Sequence, residues 1–229
     1  MVRALMPVGQ LASFVLAVLL VATAVSQLRR PRRWLGRPFL FYMNLSHSGL
    51  ADWGIRHVQI EDGDTILDVG CGGGRTVKKL AAMAPHGKVF GIDYAAGSVS
   101  VSRAANAKLV AGGRVEIIQA PVSRLPFADD TFNVVTAIET QYYWPNLVED
   151  MKEIKRVLKP GGSLIVVAET YKKGGNADVL EAVAMKLLRG KMLSVRDQER
   201  LFEAAGYAAV EVWEEASKGW MCARGSKPE

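Results

Sequence analysis

The chain has 229 residues, 49% of them apolar and 23% charged, a balance that indicates a folded domain and excludes a disordered or low-complexity protein. Its net charge of +6 arises in the N-terminal region, from Arg3, Arg29, Arg30, Arg32, Arg33 and Arg37. The other 23 Lys and Arg residues balance the 23 Asp and Glu residues, so the body of the protein is neutral. A neutral body has no long-range field to attract phosphate backbones, and nucleic acid is not predicted as a partner.

Cysteine and histidine are too sparse to form a metal or disulfide framework. The two cysteines, Cys71 and Cys222, favour a protein of a reducing compartment. The three histidines, His47, His57 and His86, have no metal-ligand spacing. We therefore predict no metal site and no structural disulfide.

The first predicted element is a membrane anchor at residues 1–28, followed by a basic linker at 29–38. Leu11–Val25 carries no charge, and its polar-poor flanks extend it to about the 20 residues that a spanning helix needs. Basic residues directly after a span prefer the cytoplasm, so the domain that follows is predicted to be cytoplasmic. Two alternatives stay open: a signal peptide with a cleavage site at Ala22-Thr23-Ala24, and a true start of translation near Met43, which would give a cytoplasmic protein without the anchor.

Residues 39–229 are predicted to form one α/β domain. It begins with a helical lead-in or cap at residues 39–60 and continues as strands alternating with helices. The predicted strands are Thr65–Val69, Lys88–Ile92, Val115–Gln119, Phe132–Ile138, Ser163–Ala168, Ala208–Glu214 and Lys218–Ala223. The predicted helices are Arg75–Ala84, Ser98–Ala111, Leu147–Leu158, Val179–Arg189 and one that starts at a capping box of Ser194 and Asp197. This order predicts a Rossmann-like, doubly wound, mostly parallel seven-stranded sheet with helices on both faces.

A glycine-rich turn follows the first predicted strand. Gly70, Gly72 and Gly74 have the spacing GxGxG, and Arg75 stands where the dinucleotide fingerprint requires another glycine. Asp68 precedes the first glycine, and its carboxylate would repel a pyrophosphate but suits a ligand with a cationic amino acid end. The turn therefore disfavours a dinucleotide and favours a cationic nucleoside.

Asp93 stands at the end of the second predicted strand. A carboxylate in this place can accept two hydrogen bonds from the diol of a ribose. Parallel strands bring their carboxyl ends to one edge of a sheet, so we expect Asp93 to lie near the glycine turn.

Four segments in order resemble the motifs of the class I S-adenosylmethionine (SAM) dependent methyltransferases, in particular the small-molecule group of the ubiquinone and menaquinone type. They are Asp68–Gly74, Gly91–Asp93, Leu125–Phe132 and Val157–Gly162. The resemblance covers roughly residues 34–223. It implies SAM as cofactor, S-adenosylhomocysteine as product and transfer of a methyl group to a small-molecule or lipid-like acceptor.

The resemblance also implies which residues hold the cofactor. The methionine end would be held by Asp68, Gly70, Cys71, Gly72 and Gly74. Asp93 would bind the ribose, and Tyr94 would flank the adenine.

One position departs from the family pattern. Family members carry an aspartate after the third strand, where it binds the adenine amino group, and this chain has Pro121 there. Adenine recognition is then left to backbone groups near Val122, or to Gln119 or Ser123. The loss of one charged hydrogen bond costs about 1.5–3 kcal/mol.

The loop after the fourth strand, Glu139–Pro145, is expected to face the acceptor because it follows a carboxyl strand end. Glu139 is the candidate general base or partner of a cationic group, and Tyr142 and Tyr143 are candidates for the wall of a pocket for an apolar or ring-containing acceptor. His47 is a further candidate if the lead-in helix covers the site. An alternative is that the aromatic residues of the loop only pack the next helix.

Three functional hypotheses remain at this point. Methyl transfer to a small or lipid-like acceptor is preferred, because the predicted anchor would bring the domain to a membrane in which such an acceptor dissolves. The alternatives are another SAM-dependent chemistry such as cyclopropane formation, and a SAM-binding sensor or scaffold without catalysis.

Overall fold

The computed structural model describes residues 48–169, 171–172, 185–186 and 190–229. The predicted anchor, the linker and the first part of the lead-in lie outside the described residues. Within these ranges, no helix has the length and apolar character needed to cross a bilayer.

The described residues form one seven-stranded sheet in the order β3-β2-β1-β4-β5-β7-β6. The strands are β1 (Thr65–Val69), β2 (Lys88–Asp93), β3 (Val115–Gln119), β4 (Phe132–Ile138), β5 (Leu158–Ala168), β6 (Ala208–Glu215) and β7 (Trp220–Ser226). The first five pair in parallel, and β7 is antiparallel to both β5 and β6. The carboxyl ends of β1 to β5 therefore share one edge of the sheet.

The helices cover both faces of this sheet. They are α1 (Ser48–Gly54), α2 (Arg75–Met83), α3 (Ala96–Ala105), α4 (Ala107–Ala111), α5 (Leu147–Val157) and α6 (Val195–Ala204), with short 3-10 helices at Ile55–His57 and Gln141–Tyr143. Leu50, Leu80 and Val99 join the core on one face, and Met151 and Phe202 join the core on the other. The predicted fold class is confirmed.

Several boundaries differ from the sequence-based predictions. The predicted helix over 98–111 is two helices, because Asn106 turns its side chain onto the carbonyls of Gly74 and Ser102, each at 2.9 Å. Strand β5 begins at Leu158 instead of Ser163, with an irregular register against β4 in between. The predicted helix over 179–189 lies almost wholly outside the described residues.

Two local predictions concern the ends of helices. The capping box is present, since the Ser194 hydroxyl accepts from the Asp197 N–H and the Asp197 carboxylate accepts from the Ser194 N–H. The described part of the lead-in is helical to His57, after which Val58 is extended. Gly54 ends α1 where an added Cβ would overlap the side chain of Val167, so this helix lies directly on β5.

Candidate cofactor and active site

The glycine turn connects β1 to α2 at the carboxyl edge of the sheet. The N–H groups of Gly70 and Cys71 donate to the carbonyl of Ile92 at 2.8 and 2.9 Å, which fixes the turn to the end of β2. Gly70 has φ 76°, and an added Cβ would overlap the Thr140 side chain. Glycine is required here because a side chain would be strained by the backbone and would displace the loop after β4.

Asp93 joins the end of β2 to this turn. Its carboxylate accepts hydrogen bonds from the Gly72 N–H at 3.1 Å and from the Ala95 N–H at 2.8 Å. Burial raises its pKa, and these hydrogen bonds oppose the rise. The predicted proximity of Asp93 and the glycine turn is confirmed, and Asp93 both orders the turn and lines a cavity beside it.

Asp68 is a deeply buried predicted site residue, with 2% of its surface exposed. Its carboxylate accepts a hydrogen bond from the Thr136 hydroxyl at 2.7 Å. Burial raises the pKa of Asp68 to about 7, the negative charge of Asp93 adds to the rise, and the hydrogen bond from Thr136 opposes it. A buried carboxylate of this kind is a strong partner for a cationic group, because it has lost its hydration.

The other two predicted turn residues face the protein interior. Cys71 is buried with its Sγ 3.8 Å from the Ser102 Oγ, and burial raises the pKa of its thiol well above the ordinary value. Gly74 has φ 79°, and an added Cβ would overlap the side chains of Ser102 and Asn106. Both residues therefore hold the start of α2 against α3, and neither lines the cavity.

A cavity of about 280 Å³ opens between the ends of β1, β2 and β3 and the loop after β4. The predicted site residues in its wall are Gly70, Asp93, Tyr94, Val122 and Tyr143. The wall also contains Pro121, Ser123, Thr140, Trp144 and Pro145. Tyr94 is 38% exposed at the rim, whereas Val122 is buried.

The loop after β4 is held in a strained conformation. Glu139 has φ 57°, which is unfavourable for a residue with a side chain. Its Oε1 accepts from the Tyr142 hydroxyl and from the Glu169 N–H, each at 2.7 Å. The Lys191 N–H donates to the Tyr142 carbonyl at 2.9 Å.

The aromatic residues of this loop fill both roles predicted from the sequence, which are packing in the core and lining the cavity. Tyr142 and Trp144 are buried, and Trp144 packs in the same core cluster as Met151. Tyr143 is only partly buried and lines the cavity. His47 lies outside the described residues, so its predicted approach to the site stays a prediction.

Sequence reasoning missed Thr136, Thr140 and Asp150, which contact the site residues. Thr136 is found only through the register of β4 against β1, and Thr140 only through its contact with Gly70. Asp150 has a weak sequence signal, since an acidic residue in the first turn of a helix is usual. In the part of the chain that the structure describes, no three His, Cys, Asp or Glu side chains are grouped so that they could hold a metal ion.

Comparison with known proteins agrees with this geometry. A family described as a methyltransferase domain matches residues 67–166. Demethylmenaquinone methyltransferase of Clavibacter sepedonicus is 32% identical over 173 residues, which cover 65% of this chain and 67% of the relative. Sterol 4-C-methyltransferase of Caenorhabditis elegans is 39% identical over 100 residues, which cover 44% of this chain and 29% of the relative.

A solved structure is similar over almost the whole domain. The SAM-dependent methyltransferase of Aquifex aeolicus has a TM-score of 0.66 and 21% identity, covering 90% of this chain and 97% of that one. The likeness agrees with the fold of this chain. The chain belongs to the class I SAM-dependent methyltransferases.

Proposed function

We propose that this protein transfers a methyl group from SAM to a small-molecule acceptor. The observation that carries the proposal is the pair of buried carboxylates, Asp68 and Asp93, at the ends of adjacent parallel strands around a glycine turn. This pair of carboxylates suits SAM, because SAM combines a cationic amino acid end with a ribose diol, both of which donate hydrogen bonds. The cavity beside the turn has a volume of about 280 Å³ and is lined by Asp93 and Val122.

Each part of the cofactor has residues of this chain that fit it. Asp68 holds the ammonium group, and the backbone of Gly70 and Gly72 allows the methionine end to approach closely. Asp93 accepts hydrogen bonds from the ribose hydroxyls while it keeps the Gly72 N–H in place. Tyr94 and Val122, which both line the cavity, would contact the base.

The protein contributes orientation and the exclusion of water. When bound, SAM supplies a methyl group that its own sulfonium has activated for transfer. Tyr143 and Trp144 close the cavity on the acceptor side, and Thr140 fixes their loop against the glycine turn. Holding two reactants in line can contribute up to about 7–11 kcal/mol, so no catalytic triad is needed.

Glu139 is the group of this loop that can take a proton from the acceptor. Its hydrogen bonds from Tyr142 and the Glu169 N–H fix the direction of the carboxylate. Tyr142 is therefore a positioning residue, whereas Tyr143 faces the cavity. His47 is kept as a second candidate base.

The acceptor is proposed to be apolar and to contain a ring. Beneath the loop lies a buried cluster that includes Tyr142, Tyr171, Met185, Met192 and Met221. Methionine side chains adapt to irregular apolar shapes, which suits a wall of an acceptor pocket. The named activities of the two relatives concern a demethylmenaquinone and a sterol. Attachment to the membrane through residues 1–28 would give the domain access to such a lipid-like acceptor.

Binding and transfer are tested in sequence. Calorimetry with the purified full-length protein is expected to show binding of SAM and of S-adenosylhomocysteine, and weaker binding by the Asp93→Ala variant. The protein is then incubated with methyl-labelled SAM and either a lipid extract or the soluble metabolites. Label in the lipid fraction supports the proposed acceptor, and label only in soluble metabolites contradicts it. If neither SAM nor S-adenosylhomocysteine binds, the whole proposal is wrong.

A further inference from the structure

We infer that Ser123, with its hydroxyl oriented by Asp150, recognises the amino group of adenine in place of the carboxylate missing at Pro121. The inference rests on the proposed function, because it assumes that the cavity beside Asp93 binds an adenosyl group. It names the polar side chain that selects the base. Ser123 would contact the cofactor directly, and Asp150 would act through it.

The placement of Ser123 is the first observation. Ser123 lies in the wall of the cavity, together with Pro121 and Val122. The turn over residues 121–124 is closed by a hydrogen bond from the Arg124 N–H to the Pro121 carbonyl. Ser123 therefore lies where the adenine edge would meet the protein.

The second observation is the partner of this hydroxyl. Ser123 donates to the Asp150 Oδ1 at 2.6 Å. Asp150 lies in the first turn of α5 with 1% of its surface exposed, and its Oδ2 accepts from the Asn146 N–H at 2.9 Å. Both carboxylate oxygens are engaged, so the orientation of this side chain is fixed.

This arrangement makes Ser123 an acceptor. A serine hydroxyl has one proton and two lone pairs, and here the proton is committed to Asp150. Only the lone pairs of the Ser123 oxygen can therefore interact with a group in the cavity. Donating a hydrogen bond to a carboxylate increases the electron density on this oxygen, which makes it a better acceptor. The adenine amino group is a donor, so the two groups are complementary. The Ser123–Asp150 pair would thus supply the missing acceptor without placing a charge in the cavity.

The other candidates near the base are less suitable. Gln119 does not line the cavity, and its Nε2 donates to the Tyr94 carbonyl at 3.1 Å, which directs this side chain to the backbone of Tyr94. The Val122 N–H is a donor and cannot accept from an amino group. It suits a ring nitrogen of adenine instead.

The inference predicts discrimination between adenine and hypoxanthine. Full-length wild-type protein and Ser123→Ala are titrated with S-adenosylhomocysteine and with its inosine counterpart, in which an oxygen replaces the amino group. Ser123→Ala is expected to bind the adenosyl compound about tenfold more weakly, the effect of one hydrogen bond, and to bind the inosyl compound within about twofold of wild type.

Ser217→Ala is the matched control. Ser217 also donates to a carboxylate, the Glu215 Oε1 at 2.7 Å, but on an exposed turn that does not line the cavity. This variant is expected to bind both nucleosides as wild type does. A loss in this control equal to that of Ser123→Ala would contradict the inference.

Asp150→Asn tests the role of the carboxylate. The amide oxygen of the new side chain would still accept from the Asn146 N–H, and its NH₂ group would donate to the Ser123 hydroxyl. The proton of Ser123 would then point into the cavity. The ratio of the two affinities is expected to shift toward the inosyl compound, a change that loss of stability alone does not produce. Thermal unfolding confirms that the variant is folded, and the Ser123→Ala result stands independently of it.

The outcomes separate this inference from the proposed function. If wild type binds S-adenosylhomocysteine and Ser123→Ala keeps the wild-type ratio of affinities, the assignment of Ser123 is wrong and the cofactor site stands. If wild type binds neither compound, the proposed function and this inference both fail.

Discussion

Thr136 donates a hydrogen bond of 2.7 Å to Asp68 across the parallel strands β1 and β4, where these two residues are in register. Both side chains are almost fully buried. The hydrogen bond from Thr136 holds the Asp68 carboxylate in place but does not replace its lost hydration. Burial therefore keeps the pKa of Asp68 at about 7. Asp68 therefore changes its charge near neutral pH.

The first prediction is a pH-dependent affinity for the cofactor. An ammonium group binds the ionised carboxylate, so we expect the affinity for S-adenosylhomocysteine to fall by up to about tenfold for each pH unit below the pKa of Asp68. Above about pH 7 the contribution of Asp68 is constant. Calorimetry from pH 5.5 to 8.5 checks this, and buffers of different ionisation enthalpy should reveal proton release on binding. A flat profile would contradict the role of Asp68.

The second prediction concerns stability without ligand. The folded-state pKa of Asp68 is raised above its unfolded value of about 3.9, so the unfolded chain loses this proton first. The ionised side chain therefore lowers the free energy of unfolding above about pH 7, and this penalty disappears as the pH falls toward 4. We expect Asp68→Asn to raise the free energy of unfolding by on the order of 2–4 kcal/mol at pH 8 and by much less at pH 4.5.

Urea denaturation at the two pH values measures this difference. Asp62→Asn is the control, because Asp62 is largely exposed and should change stability little at either pH. The same Asp68→Asn protein is expected to bind SAM much more weakly than wild type. Equal stability of wild type and Asp68→Asn at pH 8 would show that the burial of Asp68 is not costly.

The third prediction separates backbone strain from steric overlap in the glycine turn. Gly70 and Gly113 both have positive φ, 76° and 71°, but an added Cβ overlaps Thr140 at Gly70 and meets nothing within 4 Å at Gly113. Gly113→Ala should cost about 1 kcal/mol through the backbone alone. Gly70→Ala should cost about 2–4 kcal/mol and impair SAM binding.

Chemical denaturation and calorimetry on the two variants provide the comparison. Only the Gly70 variant is expected to lose affinity, because only its side chain displaces the loop of Thr140. Equal effects of the two substitutions on binding would show that contact between the turn and this loop has no functional role.

The fourth prediction concerns the hydrogen bond between Tyr142 and Glu139. Tyr142→Phe removes the hydroxyl that directs the Glu139 carboxylate, so methyl transfer to the acceptor fraction should fall about tenfold. The affinity for S-adenosylhomocysteine should stay within about twofold, because Tyr142 does not line the cavity. The rate of methyl transfer and the affinity for S-adenosylhomocysteine are measured on the same variant, and only the rate is expected to fall.

Tyr171→Phe is the matched control for this pair. Tyr171 belongs to the same buried cluster as Tyr142, and its hydroxyl donates to the Glu214 Oε1 at 2.7 Å. Its loss is expected to lower stability by about 1 kcal/mol, as for Tyr142→Phe, while transfer is retained. If both variants lose transfer alike, the effect belongs to packing of the cluster and not to Glu139.

The sequence by itself determined the class of fold and the centre of the candidate site. Alternating apolar strands and amphipathic helices encode a doubly wound sheet, because burial on both faces leaves a local pattern. Asp68, Gly70 and Asp93 were found in the same way, since each lies at or next to the carboxyl end of a recognisable strand. These features depend on neighbours along the chain.

The tertiary structure alone decided how the site is supported. Thr136 meets Asp68 from 68 positions away, and Asp150 orients Ser123 from 27 positions away. Whether a loop aromatic only packs in the core or lines the cavity, as for Tyr142 and Tyr143, depends on how the loop after β4 lies against the glycine turn. Strand register and loop packing set these distances, and both result from the summed burial of the whole core, which no local pattern contains.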